Sequence, residues 1–416
     1  MNRRHFLTGS VGAAGAAALS PFAETRAQFA AALDSQHPRA TLDDYTLSPG
    51  LTYFNHGSVG TTPRIVQEAH AKYLATCETN PWLYMWGGAW EEARESTRKQ
   101  AGDFLGCEAS EIVINRNTTD GFNLLAAGLP LKRGDEVLFS NFNHAGASIC
   151  WQHRAGERGF VVRHLEIPFG EIGEMPEAAI VDRHRRAITQ RTRVLVLPHM
   201  DNTLGLLTPI RAIVKVAREK GVDYVFADGA QVVGMLPVDV RALGVDAYCM
   251  SPHKWLQAPK GIGLMYMKKD LQERVRPQTV TWGQKRWSDS RVFEDYGTRD
   301  VPALLALGDA IAFHAKAGIE KTAKVRHELW RKVRAKVKAD DRIIWRSPAK
   351  WELGGSLYAI EVKGKESSKL GEALWKKHKM VVRAFHSDRL NTLRLSPNVA
   401  NTEAQIDAFF ETLVKL

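Results

Sequence analysis

Four short apolar runs, none alternating with polar residues, recur through the middle of the chain. They fall at 137–140, 193–198, 224–228 and 247–250, and turn-forming residues such as Arg133-Gly134-Asp135 set them off. An unbroken apolar run of this length reads as a strand covered on both faces, the condition of strands in a parallel sheet. Stretches with helical spacing lie between them. One covers 209–220 and stops at Gly221, as a helix C-terminus should. Strands alternating with helices predict an α/β fold with a mainly parallel sheet. From about residue 300 the pattern changes to a long helical stretch at 302–338, short strands, and a terminal helix at 402–416. The chain therefore divides into an N-terminal segment at 28–59, a large domain at 60–299 and a smaller α+β C-terminal domain at 300–416.

The first 27 residues follow a different pattern. Arg3-Arg4 precedes Phe6-Leu7, and a weakly apolar run rich in Ala and Gly covers 11–19. That run is too short to span a bilayer, which takes about 20 apolar residues. A charged start, a modest apolar stretch and a small-residue region make a signal peptide. The arginine pair resembles a twin-arginine export signal. Segment 1–27 is thus expected to engage the twin-arginine export machinery and deliver a folded, membrane-free mature protein to the periplasm.

Composition changes this picture little. The net charge is +11, from 57 Lys+Arg against 46 Asp+Glu. Such a balance raises nucleic acid as a partner, but no helix-turn-helix, zinc-finger or aromatic RNA motif accompanies it. Nucleic-acid binding is not expected. The four cysteines, Cys77, Cys107, Cys150 and Cys249, form no CxxC pair, so the sequence encodes neither a zinc ribbon nor a thioredoxin-type site, and no metal is expected.

Chemistry gathers where strands end. Asp228 closes the run at 224–228 and precedes Gly229-Ala230-Gln231. Ligands of open α/β sheets bind beyond the carboxyl ends of strands, and a carboxylate there can hold a protonated ring nitrogen. An N-capping aspartate reads the same way in isolation. Ser251-Pro252-His253-Lys254-Trp255 follows the run at 247–250 and leads to Gly261-Ile262-Gly263. A lysine in that position suits Schiff-base chemistry once burial lowers its pKa. Lys260, nearby, lies outside the Ser-x-His-Lys pattern.

Together these motifs resemble the fold-type I pyridoxal-phosphate (PLP) enzymes of the aminotransferase class V group, over residues 50–412. The FNHGSVGTTP opening and the GTRD stretch look most like its isopenicillin N epimerase-like branch. The resemblance implies PLP as cofactor, with Lys254 as the Schiff-base lysine and Asp228 at the ring nitrogen. Thr118 and Thr119, at the start of a helix, would form a phosphate-binding turn, since helix N-termini suit phosphate. Ser251 and His253 resemble further phosphate ligands. His144, seven residues before Trp151, resembles the ring-stacking residue. Asn202 and Gln231 resemble the partners of the cofactor's phenolic oxygen. Gly297 and Thr298 resemble a loop that reaches the phosphate of a neighbouring subunit, which implies a homodimer.

For substrate, Arg394 resembles the arginine that forks onto an α-carboxylate. Arg383 is a second candidate, and Asn55 and His56 belong to a loop that lines the family's substrate pocket. The aromatic stretch at 81–86 suits an active-site wall, a core or a subunit interface. Cysteine desulfurases carry a nucleophilic Cys between two late strands, whereas 383–389 here holds none. The resemblance therefore implies a PLP enzyme that abstracts an α-proton from an amino-bearing small molecule. The leading expectation is an aminotransferase, with amino-acid or peptide epimerisation and periplasmic siderophore tailoring as alternatives. A non-catalytic PLP-fold binding protein is the rival from outside enzymology.

Overall fold

In the computed structural model, which describes residues 28–29 and 41–416, a two-residue strand β1 (Thr52–Tyr53) precedes helices α1 (Arg64–Thr79) and α2 (Glu91–Leu105). The segment proposed for export, 1–27, lies outside the described residues. The apolar runs then build one sheet from β2 (Ile112–Val113), β3 (Glu136–Ser140), β4 (Val161–Leu165), β5 (Thr192–Pro198), β6 (Tyr224–Asp228), β7 (Ala247–Met250) and β8 (Leu264–Met267). Their order is β2-β8-β7-β6-β5-β3-β4. β4, β3, β5, β6 and β7 run parallel, whereas β8 lies antiparallel to β7 and to β2. Every residue of β3, β7 and β8 is buried, so these strands contain no alternation with polar residues.

Helices α3 (Thr118–Gly128), α4 (Ala145–Arg158), α5 (Glu177–Ala187) and α6 (Ile210–Glu219) connect the strands. The chain leaves β3 for β4 on one side and returns to β5 on the other. Loops leaving the carboxyl ends of β3 and β5 therefore diverge, and a crevice opens between them. The neighbouring ends of β6 and β7 extend it.

Beyond the sheet lie α7 (Val301–Ala317) and α8 (Ile319–Lys338). The sequence predicts one helix over 302–338, but the chain breaks at Gly318, whose φ of 76° is open to glycine at little steric cost. The break corrects the domain boundary as well. α7 is apolar almost all round and buried from Val301 to Ile311, as a helix inside a core must be. It packs along α1 and α2, so the large domain runs on to Gly318 and does not end at 299.

The small domain is a four-stranded antiparallel sheet of β9 (Ile343–Trp345), β10 (Tyr358–Val362), β12 (Arg383–Ser387) and β13 (Leu390–Leu395), in the order β12-β13-β10-β9. Helices α9 (Ser367–His378) and α10 (Glu403–Leu413) cover it, together with α8. Strand β11 (Met380–Val381) pairs in parallel with β1. That pairing stitches the N-terminal segment to the small domain and carries residues 55–60 across the crevice. Arg326 of α8 is fully buried, with no acidic partner among the described residues. It instead donates to the carbonyls of Gly234 and Met235 and to Asn398 Oδ1, which locks the small domain against the turn after β6.

Candidate active site

A cavity of about 380 Å³ fills the crevice. Its walls come from the carboxyl ends of β3, β5, β6 and β7, from the start of α3, from the loop at 57–58 and from β12 and β13. Four strand ends converge because the sheet reverses its order there.

Lys254 sits in the turn after β7 and is wholly buried. Burial pushes its amine down to about 8, against the pull of Asp228. The turn is clamped from outside, since Gly60 N–H donates to the His253 carbonyl at 2.8 Å. A Cβ on Gly60 would stand 1.8 Å from the Lys254 carbonyl, so only glycine fits. Three residues on, Gln257 adopts a positive φ of 58°, a conformation that costs a non-glycine residue about 1–3 kcal/mol. Its buried amide is held by Tyr45 Oη at 3.1 Å and Thr61 Oγ1 at 3.2 Å. Backbone strain is thus tolerated just where the lysine is presented. Lys260, by contrast, donates to Thr62 Oγ1 and lines a different cavity.

Asp228 ends β6 and lies on the cavity wall, with Oδ1 accepting from Ala230 N–H at 3.0 Å. Burial raises its pKa, while the Lys254 ammonium lowers it. Behind it, His199 Nδ1 meets Tyr248 Oη at 2.6 Å. His144 caps α4, and its Nδ1 accepts from Gly146 N–H at 3.0 Å, which leaves the ring proton on Nε2. Burial holds this imidazole below its usual pKa, so it presents a neutral ring to the cavity.

The start of α3 forms an anion cup. Thr118 N–H and Thr118 Oγ1 lie 3.2 and 2.8 Å from Ser251 Oγ. Thr118, Thr119 and Ser251 all face the cavity, at the positive end of an eleven-residue helix. His253 also lines it, and its buried Nδ1 has no partner among the described residues.

Across the cavity Arg394, on β13, is 2% exposed. Its Nη1 donates to the Asn202 carbonyl at 2.7 Å, and its Nη2 donates to Asn55 Oδ1 at 2.9 Å and Ser58 Oγ at 2.7 Å. Its Nε is buried without a partner. The nearby Asp201 carboxylate is committed to Thr203, Leu204 and Leu206. A buried guanidinium with no carboxylate partner and a free N–H calls for an anionic ligand.

The structure brings Lys254, Asp228, Thr118, Thr119, His144, Asn202, Gln231, Ser251, His253, Arg383 and Arg394 to one cavity. Others fall elsewhere. His56 does not face it: the ring is buried, with Nδ1 on the Ser396 carbonyl and Nε2 on Thr61 Oγ1. Asn55 acts on Arg394 and does not line the wall. Gln231 lines the wall, but its carbonyl accepts from the Trp255 indole and its amide donates to the Gly57 carbonyl, which leaves one amide hydrogen free. Gly297 and Thr298 line a separate cavity of about 510 Å³ with Trp86, Trp90, Trp282 and Arg94. The stretch at 81–86 belongs there too: Tyr84 packs on Trp90 at 4.7 Å while Trp82 and Trp86 are exposed. Within one chain it does not wall the Lys254 cavity.

Sequence reading missed Asp201, whose carboxylate shapes the loop after β5, and the apolar wall of Phe142, Met200 and Phe385. Asp-Asn-Thr ahead of a glycine is an Asx-turn signal that marks the first. Phe385 follows Arg383 by two residues, on the same face of a strand, and that spacing marks part of the second.

Known proteins resemble the chain over most of its length. The Aminotransferase class-V family model matches residues 52–409. Isopenicillin N epimerase of Amycolatopsis lactamdurans is 28% identical over 396 residues, covering 90% of this chain and 97% of its own. A probable cysteine desulfurase of Pyrococcus abyssi is 25% identical over 401 residues, covering 91% and 97%. Among solved structures, C-DES with glycine covalently linked to its PLP cofactor superimposes with a TM-score of 0.82 at 20% identity, covering 91% of this chain and 100% of that one. The last likeness speaks for the fold.

Proposed function

We propose, from the premise that the chain belongs to the aminotransferase class-V family, that it is an aminotransferase acting on an amino acid or another carboxylate-bearing amine. The cofactor of this PLP-dependent class is pyridoxal phosphate, and the cavity fits it. The Thr118, Thr119 and Ser251 hydroxyls at the head of α3 would hold its phosphate, and the unpartnered His253 Nδ1 stands beside them. Asp228 would face the ring nitrogen, and His144 would lie against the ring. When bound, the cofactor supplies an electron sink for the pair left behind as the α-proton departs.

The residues divide the remaining work. Arg394 offers its guanidinium to the substrate carboxylate and so orients the amine-bearing carbon. The Asp228 carboxylate would hold a proton on the ring nitrogen of the bound cofactor, since opposite charges side by side in a buried site favour each other's charged form. Lys254, near 8, is close to half unprotonated in mildly alkaline solution and can take a proton from carbon. Phe142, Met200 and Phe385 exclude water from that proton.

The observation that carries the reading is Lys254, buried between Asp228 and Arg394 with a depressed pKa. Among the described residues it is the one amine on the wall, with the imidazoles of His144 and His253 also there and no Cys or Tyr side chain. A lysine that returns the proton to a neighbouring carbon suits transamination. Epimerisation by two bases needs a second group on the far side of the carbon. The epimerase relatives nonetheless support epimerisation as the second reading. Desulfuration is disfavoured, because none of the four cysteines lines the cavity and β12 turns tightly into β13.

The deciding experiment is a visible absorbance spectrum of the PLP-loaded protein, before and after a panel of L-amino acids. Loss of the lysine-linked band with release of a keto acid supports transamination. Exchange of the α-proton with solvent and no keto acid supports epimerisation. No visible band after added PLP overturns both. Lys254→Ala is expected to abolish the band with the fold intact, and Lys260→Ala to leave it in place.

Two further expectations belong to this reading. Exposed Trp86 and Trp282 around the Gly297 loop support a homodimer whose partner receives that loop. The Arg3-Arg4 motif supports twin-arginine export to the periplasm, and among the described residues no helix is long and apolar enough to cross a membrane.

A further inference from the structure

Arg383 and Arg394 are direct cross-strand partners on β12 and β13. Like charges placed directly opposite in an antiparallel pair are destabilising. Neither has a carboxylate partner among the described residues. Both guanidinium groups approach the same ring, at 5.4 and 5.6 Å from the centre of Phe385, and the Arg383 charge acts on Arg394. Both line the Lys254 cavity, where Asp228 is the one acidic side chain among the described residues. They differ in setting: Arg394 is buried and braced by three hydrogen bonds, while Arg383 is exposed and makes no hydrogen bond among the described residues.

We propose that the cavity selects a dicarboxylic amino compound, with one carboxylate on Arg394 and the second on Arg383. The inference rests on the reading of Arg394 as a carboxylate site. Two adjacent, unneutralised arginines cost the empty protein stability, and two anionic groups on one ligand relieve both. A monocarboxylate relieves one only. The exposure of Arg383 leaves its fork free to swing onto a second carboxylate at a range of distances, and Phe385 gives the swinging guanidinium a ring face to rest on. Arg383 would thus determine specificity without touching the reacting carbon.

The test is calorimetric titration of the PLP-loaded protein with malonate, succinate, glutarate and adipate, against butyrate as the monocarboxylate. At least one dicarboxylate is expected to bind about tenfold tighter than butyrate, the gain of one further charge-assisted contact. Arg383→Gln should remove that advantage and leave butyrate affinity within about twofold, while Arg394→Gln should weaken every ligand. Cofactor-free Arg383→Gln should also melt no lower than the wild type, since it removes a repulsion. Arg383→Lys, which keeps the charge and loses the fork, guards against a misfolded first variant and should retain part of the preference. Equal binding of butyrate and every dicarboxylate overturns the proposal. So does an Arg383→Gln variant that weakens butyrate as much as the dicarboxylates, because both arginines would then share one carboxylate. A protein that shows the visible band yet has no dicarboxylate preference loses this inference alone. A protein without the band loses the underlying reading as well.

Discussion

Asn55 and Arg394 meet through a 2.9 Å hydrogen bond although 339 residues separate them in the chain. The contact exists because β1 joins the small domain beside β11 and carries the following loop under β13. Nη2 of Arg394 has two acceptors there, Asn55 Oδ1 and Ser58 Oγ, which hold the guanidinium plane toward the cavity.

Asn55→Ala removes one of these braces and leaves the charge. Arg394 then samples more orientations, in the ground state and the transition state alike. KM should rise roughly tenfold with kcat within about twofold, equivalent to about 1.4 kcal/mol of uniform binding. Steady-state kinetics with the amino donor found by the spectral screen checks this. An equal fall in kcat would mean that Asn55 acts on the reaction and not only on Arg394.

Lys254 makes stability depend on pH. Its folded value of about 8 lies below the ordinary 10.5. Below pH 8 the folded protein carries a buried charge and bears the full penalty. Between 8 and 10.5 the folded state has released the proton and the unfolded chain still holds it, so stability rises with pH. The gain is at most about 3 kcal/mol, and less where Asp228 shares the field. Urea unfolding of the cofactor-free protein at pH 7 and pH 10, beside Lys254→Met, should show the gap between the two proteins change by that amount. A gap independent of pH would mean the amine is not titrating in a buried site.

The parallel strands and the lysine turn were legible because each is a local pattern. β6 and β7 begin and end where the apolar runs do, and Asp228 and Lys254 stand at strand ends by sequence alone. Elements set by long-range packing were not. Gly318 splits a continuous helical pattern through a backbone angle, and α7 joins the large domain because α1 and α2 receive it. His56 shares a loop with Asn55 and Ser58, yet its ring turns into the core, where Ser396 and Thr61 satisfy it. Motif spacing cannot say which way a side chain points from a loop. Nor could it place Gly297 and Thr298, which a single chain keeps apart from Lys254.

Arg98 and Glu294 form a second long-range pair, with Nη1 and Nη2 donating to the two carboxylate oxygens at 2.8 and 2.7 Å. Both are buried, and Glu294 also accepts from Ile114 N–H at 2.7 Å. The pair anchors the Gly297 loop to α2 and β2. Glu294→Ala would leave the buried Arg98 with Glu95, at 3.3 Å, as its remaining carboxylate partner, at a cost of about 1–3 kcal/mol. Replacing both residues, with Arg98→Met and Glu294→Leu, should recover most of that loss. Chemical denaturation of the three proteins measures it. Equal stability of Glu294→Ala and the wild type would show that the pair contributes nothing.

Asp228→Asn separates charge from shape at the ring nitrogen. The amide fills the same space and can still accept from Ala230 N–H through its oxygen, so the turn after β6 should survive. It carries no charge to hold a proton on the ring. Cofactor binding through Thr118, Thr119 and Ser251 should persist, and the visible band should remain with altered position. The rate of α-proton removal should fall by about 10²–10³, the usual consequence of losing one preorganised electrostatic partner of the transition state. Asp228 also raises the Lys254 pKa, so the variant's acid limb, on which the rate rises as Lys254 loses its proton, should move to lower pH as the rate drops. A variant that keeps the band and the wild-type rate would remove Asp228 from the chemistry and leave it as a helix-turn cap. A variant that loses the band outright would make the carboxylate a binding group first.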